Sequence, residues 1–391
     1  MKPVINRIIK NLIPSFIKNW HYYSKVPGNI KQKIRDNKET IKPFYKAFKQ
    51  MSYNIESVDE YLDSYIKKPV RLIRESNMPT PAMNEPILLC AVKNDLERVI
   101  LQVNYHKKIG VRHFAYIDNN SNDGTFEWLK NQNDITLFSV DEIFSTCRKE
   151  SWRKQAIDIL GYNKWYLIID SDEYFMYPGI ETININKYVD FLEKKKIKSA
   201  FAPLIDMYSK NKLFSEYDTK STMFETYCYF DTNTYELTNH FTMNIVKCGP
   251  RTRIFSSANY RERPTLSKYP LTKVTRDMLF GAHKNFPFSN NLQTKGAIAY
   301  SLHYKFLPDD IQKYKDYASS GIAANESLGY KTYTRAFEQN PELSFYYEGS
   351  QKLNNSMDLL KINITDTLFC KELLTDNTAS PVQNGAQEKL I

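Results

Sequence analysis

The fold class of this chain follows from one segment, Trp165-Tyr166-Leu167-Ile168-Ile169-Asp170-Ser171-Asp172-Glu173. A short run of large apolar residues is typical of a strand buried on both faces of a parallel sheet. Acidic residues that follow such a strand lie outside its carboxyl end, where open α/β sheets bind their ligands. The segment therefore predicts a buried strand, Trp165 to Ile169, that leads into a binding site.

The sequence before this segment repeats the pattern. Apolar runs predict strands at 87–92, 113–117 and 135–140. Amphipathic stretches between them predict helices at 96–109, 125–130 and 151–160. Strands that alternate with helices at this spacing form βαβ units. We therefore predict an α/β fold of Rossmann type, with a mostly parallel sheet and helices on both faces.

Composition narrows the class of protein. Of 391 residues, 42% are apolar and 25% charged, as in ordinary globular proteins. No run of about 18 uncharged apolar residues is present, which excludes a membrane-spanning helix. The five cysteines are scattered and form no Cys-x-x-Cys pair, which argues against a disulfide scaffold or a zinc knuckle. This cysteine usage favours a reducing compartment, and we expect a cytoplasmic protein.

The positive charge is concentrated in residues 1–50. This part contains twelve Lys or Arg and two Asp or Glu, a balance of +10 that equals the net charge of the whole chain. Residues 51–391 therefore carry equal numbers of each sign. A neutral main body gives no compositional support for nucleic-acid binding, and we expect no nucleic-acid partner.

An amphipathic pattern occupies the amino-terminal end. Apolar residues from Val4 to Trp20 recur at helical spacing, with Arg7, Lys10 and Lys18 on the other face. Such a helix can lie in the plane of an anionic membrane, with further lysines adding to the attraction. The alternative is a helix docked on the protein's own body. The membrane interpretation predicts a peripheral location on the inner face of the cytoplasmic membrane.

We predict five regions along the chain. These are a basic membrane-surface segment (1–50), a helical linker (51–83), a catalytic domain (84–308, in a nucleotide half 84–180 and an acceptor half 181–308), a helical region (309–375) and a flexible tail (376–391).

The acidic pair Asp170 and Asp172 suggests metal chemistry. If the strand continues through them, side chains at i and i+2 share one face and both carboxylates reach one object. Two close carboxylates repel each other unless a cation intervenes. Mn²⁺ or Mg²⁺ accepts one or two carboxylates and completes its coordination with phosphate oxygens, which suits a nucleotide diphosphate leaving group. The alternative is a set of ordinary solvated acids near a helix start.

Three polar motifs occur in order along the predicted sheet: Lys93-Asn94, Asp118-Asn119-Asn120-Ser121-Asn122-Asp123-Gly124-Thr125 and Ile169-Asp170-Ser171-Asp172-Glu173-Tyr174-Phe175. Together they resemble the motifs of GT-A-type glycosyltransferases. The closest resemblance is to the family-2-like and family-92-like enzymes, including those that build bacterial surface glycans, and it covers residues 86–178. A weaker similarity is present at Ser301-Leu302-His303-Tyr304-Lys305. The resemblance implies a GT-A-like fold and transfer of a hexose from a nucleotide sugar.

The resemblance also implies roles for single residues. Lys93, Asn94, Asp118, Asn120 and Asp123 would contact the nucleotide. Asp170 would contact the ribose or the metal, Asp172 would be the main metal ligand, and His303 would complete the metal site. For Asp123 an Asx turn or helix cap is an equally good interpretation. Asp95 and Asn119 depart from the family pattern, which has Glu and often Asp there.

The catalytic base is harder to identify. Inverting transfer needs a carboxylate that deprotonates the acceptor hydroxyl. We select Asp206 because it follows a predicted strand from Ala200 to Ile205, with Glu225, Asp231 and Glu236 as other candidates. Glu173 is expected to shape the metal loop. His283 is a second histidine candidate for the site, and Arg251, Arg253, Arg261 and Arg263 could hold a diphosphate or an anionic acceptor.

The leading hypothesis is a metal-dependent glycosyltransferase that uses a UDP-sugar and modifies a cell-surface glycan such as lipooligosaccharide or capsule. One alternative is a nucleotidyltransferase, although Lys93-Asn94-Asp95 lacks the glycine-rich loop usual in those enzymes. Another is a non-catalytic glycan-binding or membrane-associated protein of the same fold, which the retention of both Asp170 and Asp172 disfavours.

Overall fold

A computed structural model describes residues 28–52, 58–215, 222–255, 263–321 and 327–378. Its α-helices are Gly28–Asp36 (α1), Lys38–Ile41 (α2), Tyr45–Ser52 (α3), Val58–Lys67 (α4), Leu96–Lys108 (α5), Thr125–Lys130 (α6), Thr146–Leu160 (α7), Ile185–Lys194 (α8), Met223–Thr226 (α9), Pro250–Phe255 (α10), Asp310–Ser320 (α11), Leu328–Gln339 (α12) and Thr367–Thr378 (α13). Its strands are Arg71–Arg74 (β1), Ile87–Val92 (β2), His113–Asp118 (β3), Ile135–Ser139 (β4), Lys164–Ile168 (β5), Glu173–Met176 (β6), Leu204–Asp206 (β7), Tyr229–Phe230 (β8), Tyr235–His240 (β9), Met243–Cys248 (β10), Leu271–Val274 (β11), Leu279–Gly281 (β12), Lys284–Phe286 (β13), Tyr300–His303 (β14) and Gln351–Lys352 (β15).

The main sheet has six strands in the order β1-β4-β3-β2-β5-β11. The four central strands are parallel, and β1 and β11 close the two edges in antiparallel orientation. The carboxyl ends of β2, β3, β4 and β5 therefore meet at one edge of the sheet. The prediction of an α/β fold of Rossmann type with a mostly parallel sheet is confirmed.

Both faces of this sheet are buried under helices. On β2, Leu88 and Cys90 pack with α5 and α6, whereas Leu89 packs with Trp152 and Ala156 of α7 on the other face. This alternation follows from the two-residue period of a strand. It explains why the parallel strands are continuously apolar in the sequence, since neither face is available to water.

Some predicted boundaries differ from the structure. The strand that leads into the acidic segment ends at Ile168, so Asp170 and Asp172 lie in a turn and the expected i, i+2 strand geometry is wrong. The strand predicted from Ala200 to Ile205 forms only at Leu204–Asp206, so Asp206 is the last residue of the strand and does not follow it. The region 51–83, interpreted as a helical linker, contains the edge strand β1 of the main sheet. An edge strand of a sheet can come from a distant segment whose own sequence shows no strand pattern.

The amino-terminal helices are packed onto the body. Ile34, Phe44, Phe48 and Tyr61 form a buried cluster with apolar residues that include Phe286. Residues 28–50 of the predicted membrane segment are thus part of the folded core, while residues 1–27, with the amphipathic pattern, lie outside the described residues. Of the predicted tail, 376–378 complete α13 and the rest lies outside them as well. In the part of the chain that is described, every helix is too short or too polar to cross a bilayer.

A second sheet, β6-β14-β7, continues the fold beyond the acidic turn. The carboxy-terminal helices α11 and α12 pack next to it through a small apolar cluster that includes Phe306, Tyr314 and Tyr333. Arg98 at the start of α5 joins these helices to the main domain. Its guanidinium contacts Asp310 of α11 at 2.6 Å and Asp95 at 3.2 Å, and the side chains of Arg98 and Asp310 are only 12% and 4% exposed.

Replacing Arg98 should loosen this connection. We expect Arg98→Met to lower the free energy of unfolding by about 3–5 kcal/mol, because Asp310 would be left as an unpaired charge in a buried position. Urea denaturation measures the loss, and limited proteolysis should then cut near α11.

Arg112→Met is the matched control. Arg112 pairs with Glu85 at 3.1 Å but is 55% exposed, and the loss of such a pair should cost about 0–1 kcal/mol. Equal losses of stability in the two variants would contradict the proposed connection.

Candidate functional site

A large cleft lies at the carboxyl edge of the main sheet. It has a volume of about 1470 Å³ and is lined by the loops that follow β2, β5 and β14 and by side chains of α7, α11 and α12. Lys93, Asn94, Asp170, Asp172 and His303 all line it. The structure thus brings together residues from all of the sequence motifs, although the Asp118–Thr125 loop contributes only Asn119 to the lining.

The acidic turn is held by hydrogen bonds from beneath. The Glu173 amide donates to the Asp170 carbonyl at 3.1 Å, which closes the turn. The buried amide of Gln102 on α5 donates to the carbonyl oxygens of Asp170 (2.7 Å) and Glu173 (3.2 Å), and Tyr116 in turn donates to Gln102 at 2.8 Å. The backbone of the turn is therefore satisfied from below, and the side chains of Asp170 and Asp172 are left facing the cleft.

Strand pairing brings His303 to the acidic turn. In the second sheet, β14 pairs antiparallel with β6 and parallel with β7, which sets His303 opposite both Glu173 and Asp206. His303 Nε2 lies 3.3 Å from Asp172 Oδ2, and His303 Nδ1 lies 2.7 Å from Asp206 Oδ1. Arg251 completes the chain with its Nε 2.7 Å from Asp206 Oδ2.

Three cations surround Asp170. Its Oδ1 accepts from Lys149 at 2.7 Å and from Arg153 at 2.6 Å, and Lys268 lies 3.4 Å from Oδ2. Burial favours the neutral acid, but the charges of Lys149, Lys268 and Arg153 outweigh it and hold the pKa of Asp170 well below its usual range. Asp170 is therefore ionised and already neutralised by its neighbours.

The pKa values of the other acids of the site depend on how far nearby cations offset the effect of burial. Burial opposes ionisation of Asp172, yet His303 and Lys305 keep its pKa well below the usual value. Burial is likewise offset at Asp206, where Arg251 and His303 lower the pKa to about 2. For Glu173 burial prevails and raises the pKa, even though Lys268 Nζ lies 2.7 Å from its Oε1. The pKa of His303 is raised, because Asp172 and Asp206 outweigh the effect of its burial.

The Asp118–Thr125 loop at the end of β3 is organised around buried polar groups. Asp118 is 2% exposed and its Oδ2 accepts from the Ser121 amide at 3.0 Å, so it lies beneath the cleft rather than in its lining. Burial raises its pKa. Asn119, which follows it, does line the cleft, and its amide donates to the carbonyl oxygens of Val140 and Glu142.

Two other predicted nucleotide contacts have structural roles here. Asp123 accepts from the Thr125 amide at 3.0 Å, in an Asx turn, and from the Leu96 amide at 3.2 Å, at the first residue of α5. Asn120 donates to Asp141 at 2.5 Å. Neither residue lines the cleft. Asn94 links the two loops, since its Oδ1 accepts from the Asn122 amide at 2.8 Å.

The candidate bases are engaged elsewhere. Asp206 is 1% exposed, and both of its oxygens are held by His303 and Arg251. Asp231 is buried in contact with Arg253, Glu225 caps the short helix α9, and Glu236 lies near Arg263 on the exposed strand β9. The cleft contains none of these four carboxylates in its lining. Proton abstraction by Asp206 would require its ion pairs to break first, so the geometry gives it a positioning role behind His303.

The arginine group divides in the same way. Arg251 and Arg263 line the cleft, Arg253 stacks over Tyr347 at 4.0 Å from the ring centroid, and Arg261 lies outside the described residues. His283 also lines the cleft. Burial and the charge of Lys268 lower the pKa of His283 to about 3, so its ring is neutral.

Sequence reasoning missed the cations that hold Asp170. Lys149 and Arg153 are four residues apart on α7, so they lie on one face of a helix whose start is near the carboxyl edge of the sheet. That spacing was a usable signal. Lys268 had none, because it comes from an irregular segment before β11.

The donor set is compatible with a divalent metal. Within the described ranges, no group of three or more His, Cys, Asp or Glu side chains is arranged to hold an ion. His303 Nε2 and Asp172 Oδ2, however, lie 3.3 Å apart in the lining of the cleft. Imidazole and carboxylate groups are suitable ligands for Mn²⁺. Ions of this kind often take only one or two protein carboxylates and complete their coordination with water and substrate phosphates. Asp170 is less available, since its carboxylate is already bound by three cations.

Comparisons with known proteins found distant structural neighbours. No family model and no curated protein matches the chain. One similar solved structure is the mannosyltransferase PcManGT from Pyrobaculum calidifontis in complex with GDP-Man and Mn²⁺, at 15% identity and a TM-score of 0.24. The alignment covers 37% of this chain and 43% of the mannosyltransferase, less than half of either.

A second neighbour is a proposed glucose-1-phosphate thymidylyltransferase from Bacillus anthracis, solved in complex with a sucrose. It is 10% identical, with a TM-score of 0.24, and the alignment covers 78% of this chain and 98% of that one. The neighbours are thus a glycosyltransferase and a nucleotidyltransferase. At this level of similarity neither defines the function of this chain, and the proposal below is drawn from the cleft.

The support beneath the acidic turn should be sensitive to acid. His106 on α5 accepts from the Phe175 amide through Nε2 at 3.3 Å, so Nδ1 carries the proton and donates to the Gln102 carbonyl at 2.7 Å. Burial lowers the pKa of His106 to about 3, against about 6.5 in the unfolded chain. The unfolded chain therefore takes up the proton first, and stability is lost as the pH falls from about 6.5 towards 3.

We expect the free energy of unfolding of the natural protein to fall by about 2 kcal/mol more than that of His106→Gln between pH 7 and pH 5, as measured by urea denaturation. The comparison with His106→Gln cancels the effect of the other groups that titrate in this range. The same pH dependence in both proteins would show that His106 is not held neutral.

Proposed function

We propose that this protein is a metal-dependent glycosyltransferase. It would move a sugar from a nucleotide donor, with UDP as the expected nucleotide, to a cell-surface glycan such as lipooligosaccharide or capsule, with inversion. One observation carries the proposal: Asp172 and His303, from distant parts of the chain, face each other at 3.3 Å in the cleft that also contains Lys93 and Asn94. A carboxylate, an imidazole and a basic loop at one sheet edge are the groups expected to hold a metal–diphosphate complex.

Each group has a distinct task in this proposal. Lys93 and Asn94 bind the nucleotide at the ends of β2 and β3, and Asn119 adds a contact that its position in the lining supports. Asp172 and His303 hold Mn²⁺ or Mg²⁺, which when bound supplies positive charge to the leaving diphosphate. Asp206 keeps His303 oriented, because its hydrogen bond to Nδ1 leaves Nε2 directed at Asp172.

In this proposal Asp170 has a different role from the ribose or metal contact that the resemblance implied. Its charge is balanced by Lys149, Arg153 and Lys268, which supports a role in organising these cations near the phosphates. Lys149 and Lys268 can turn from Asp170 to a phosphate oxygen at little cost, because one anion replaces another. Glu173 anchors Lys268 from below.

The test is donor binding and turnover. We expect UDP to bind more tightly with Mn²⁺ than with EDTA by isothermal titration calorimetry, and a screen of UDP-sugars to release UDP. Asp172→Ala should weaken the metal-dependent binding by about 10–100-fold and reduce turnover by at least about 100-fold, since one ligand and its charge are removed.

Asp134→Ala is the control, because Asp134 forms a pair with Lys107 outside the cleft. Full metal-dependent turnover in Asp172→Ala would remove Asp172 from the metal site. If UDP does not bind under any of these conditions, the glycosyltransferase proposal fails and a non-catalytic role is favoured.

A deletion that tests membrane binding must leave the folded body of the protein intact. Residues 1–27 contain five Lys or Arg and no Asp or Glu, and such charges contribute about 1 kcal/mol each near an anionic surface. Residues 28–52 must be kept, because Ile34, Phe44 and Phe48 are buried in the body. We expect the variant without residues 1–27 to lose binding to phosphatidylglycerol vesicles in a sedimentation assay while it keeps UDP binding.

Vesicles of phosphatidylcholine are the control, since they lack the negative charge. Undiminished binding of the shortened protein to anionic vesicles would contradict the role of residues 1–27.

A further inference from the structure

The cleft has a second side that the proposed donor chemistry does not use. Lys305 follows β14, Lys313 and Tyr317 belong to α11, and Tyr330 belongs to α12, and all four line the cleft. We call these four residues the lysine–tyrosine wall. Each is partly buried, so each presents part of its side chain to the cleft.

The two lysines of this wall lack the direct ion pairs of the cations around the acidic turn, although Lys305 acts on Asp172 from a longer distance. Lys149, Lys268 and Arg251 are each paired with a carboxylate of the site. Among the described residues, no carboxylate lies within 4.0 Å of the ammonium of Lys305 or Lys313. Lys305 instead contacts Tyr330, with its Nζ 3.3 Å from the hydroxyl oxygen and 4.9 Å from the ring centroid. The wall therefore carries positive charge that is available to an anion in the cleft.

The two tyrosines are held rigidly beside these charges. Tyr317 and Tyr330 meet edge to face with centroids 5.0 Å apart, and Tyr330 also contacts Tyr314 at 5.0 Å. Tyr314 and Tyr333 behind them are buried in the apolar cluster with Phe306. A tyrosine ring offers an apolar face together with a hydroxyl that can donate a hydrogen bond. A sugar ring has apolar faces and hydroxyl groups that match this combination. A diphosphate has no apolar face that could pack against the ring.

The size of the cleft leaves room for a second ligand. Its volume of about 1470 Å³ exceeds the 300–1,000 Å³ of ordinary small-molecule pockets. A nucleotide sugar bound near the acidic turn would thus leave space along the lysine–tyrosine wall.

We propose that the lysine–tyrosine wall is the acceptor subsite, and that the acceptor is an anionic sugar, one that carries a phosphate or a carboxylate. The tyrosine rings pack against the sugar, and Lys305 and Lys313 bind the negative group. The assignment of this subsite to an acceptor rests on the proposed glycosyltransferase function. The binding of an anionic sugar, however, can be measured without any donor.

The experiment uses three defined probes: glucose 6-phosphate, glucuronate and glucose. Their dissociation constants are measured by ligand-detected NMR on the full chain, both without donor and with UDP and Mg²⁺. We expect at least one anionic probe to bind about tenfold or more tightly than glucose, because a hydrogen bond to a charged group discriminates by at least this factor.

Three lysine variants locate the site. Lys313→Gln should remove most of the preference for the anionic probe and leave UDP affinity unchanged. Lys305→Gln should remove most of the same preference when no donor or metal is present; its UDP affinity is not used as a criterion, because Lys305 also acts on Asp172. Lys315→Gln is the matched control, since Lys315 is exposed on the same helix and does not line the cleft. Tyr317→Ala should weaken all three sugars, because the ring serves the sugar and not the charge.

The outcomes separate the two proposals. Preference for glucose 6-phosphate alone identifies a phosphorylated acceptor, and preference for glucuronate alone identifies an acidic sugar. Equal binding of all three probes, or loss of UDP affinity in Lys313→Gln, overturns the acceptor subsite. Binding of inorganic phosphate as tight as that of glucose 6-phosphate also overturns it, since the sugar would then contribute nothing. A failure of UDP to bind while the anionic probes still bind counts against the donor proposal alone.

Discussion

The site depends on the balance of charge around the acidic turn. Asp170, Asp172, Glu173 and Asp206 are clustered in a largely buried place, where carboxylates are costly unless cations pair with them. Lys149 and Arg153 come from α7, Lys268 from the segment before β11, and Arg251 from α10. The turn can therefore keep its shape only when these three separate parts of the chain have folded around it. The same requirement makes the cleft rigid and polar before any ligand arrives.

The strand β14 determines where His303 lies within this cluster. It lies between β6, which follows the acidic turn, and β7, which carries Asp206, so His303 is set between Asp172 and Asp206 by backbone register alone. Both oxygens of Asp206 are held in ion pairs with His303 and Arg251, a geometry that favours orienting His303 over abstracting a proton. A carboxylate bound to the far nitrogen of an imidazole fixes the ring and its tautomer, which is how ligating histidines are commonly oriented.

Much of the architecture could be predicted from local patterns, because each pattern reports the environment of its own residues. The apolar run at Trp165 to Ile169 indicated burial on both faces, and the acids after it indicated a ligand edge. Boundaries were less certain, and the strand ended before Asp170 because the chain turns there to enter β6. The loop residues Asp118 and Asp123 show the limit of a motif: the Asp-Gly-Thr sequence serves the start of α5 as well as it could serve a nucleotide.

The sequence alone determined the parallel sheet, its helices and the edge at which ligands would bind, since hydrophobic period and turn residues are local properties. Only the tertiary structure decided which charges meet. Lys268 reaches Asp170 and Glu173 from a distant segment that carries no signal of its own. His303 was singled out by its motif, but its contact with Asp172 is set by the pairing of β14 with β6. The lysine–tyrosine wall likewise exists only because α11 and α12 fold back over the cleft. Electrostatic energy depends on distance in space and on burial, and neither quantity is written in the order of the residues.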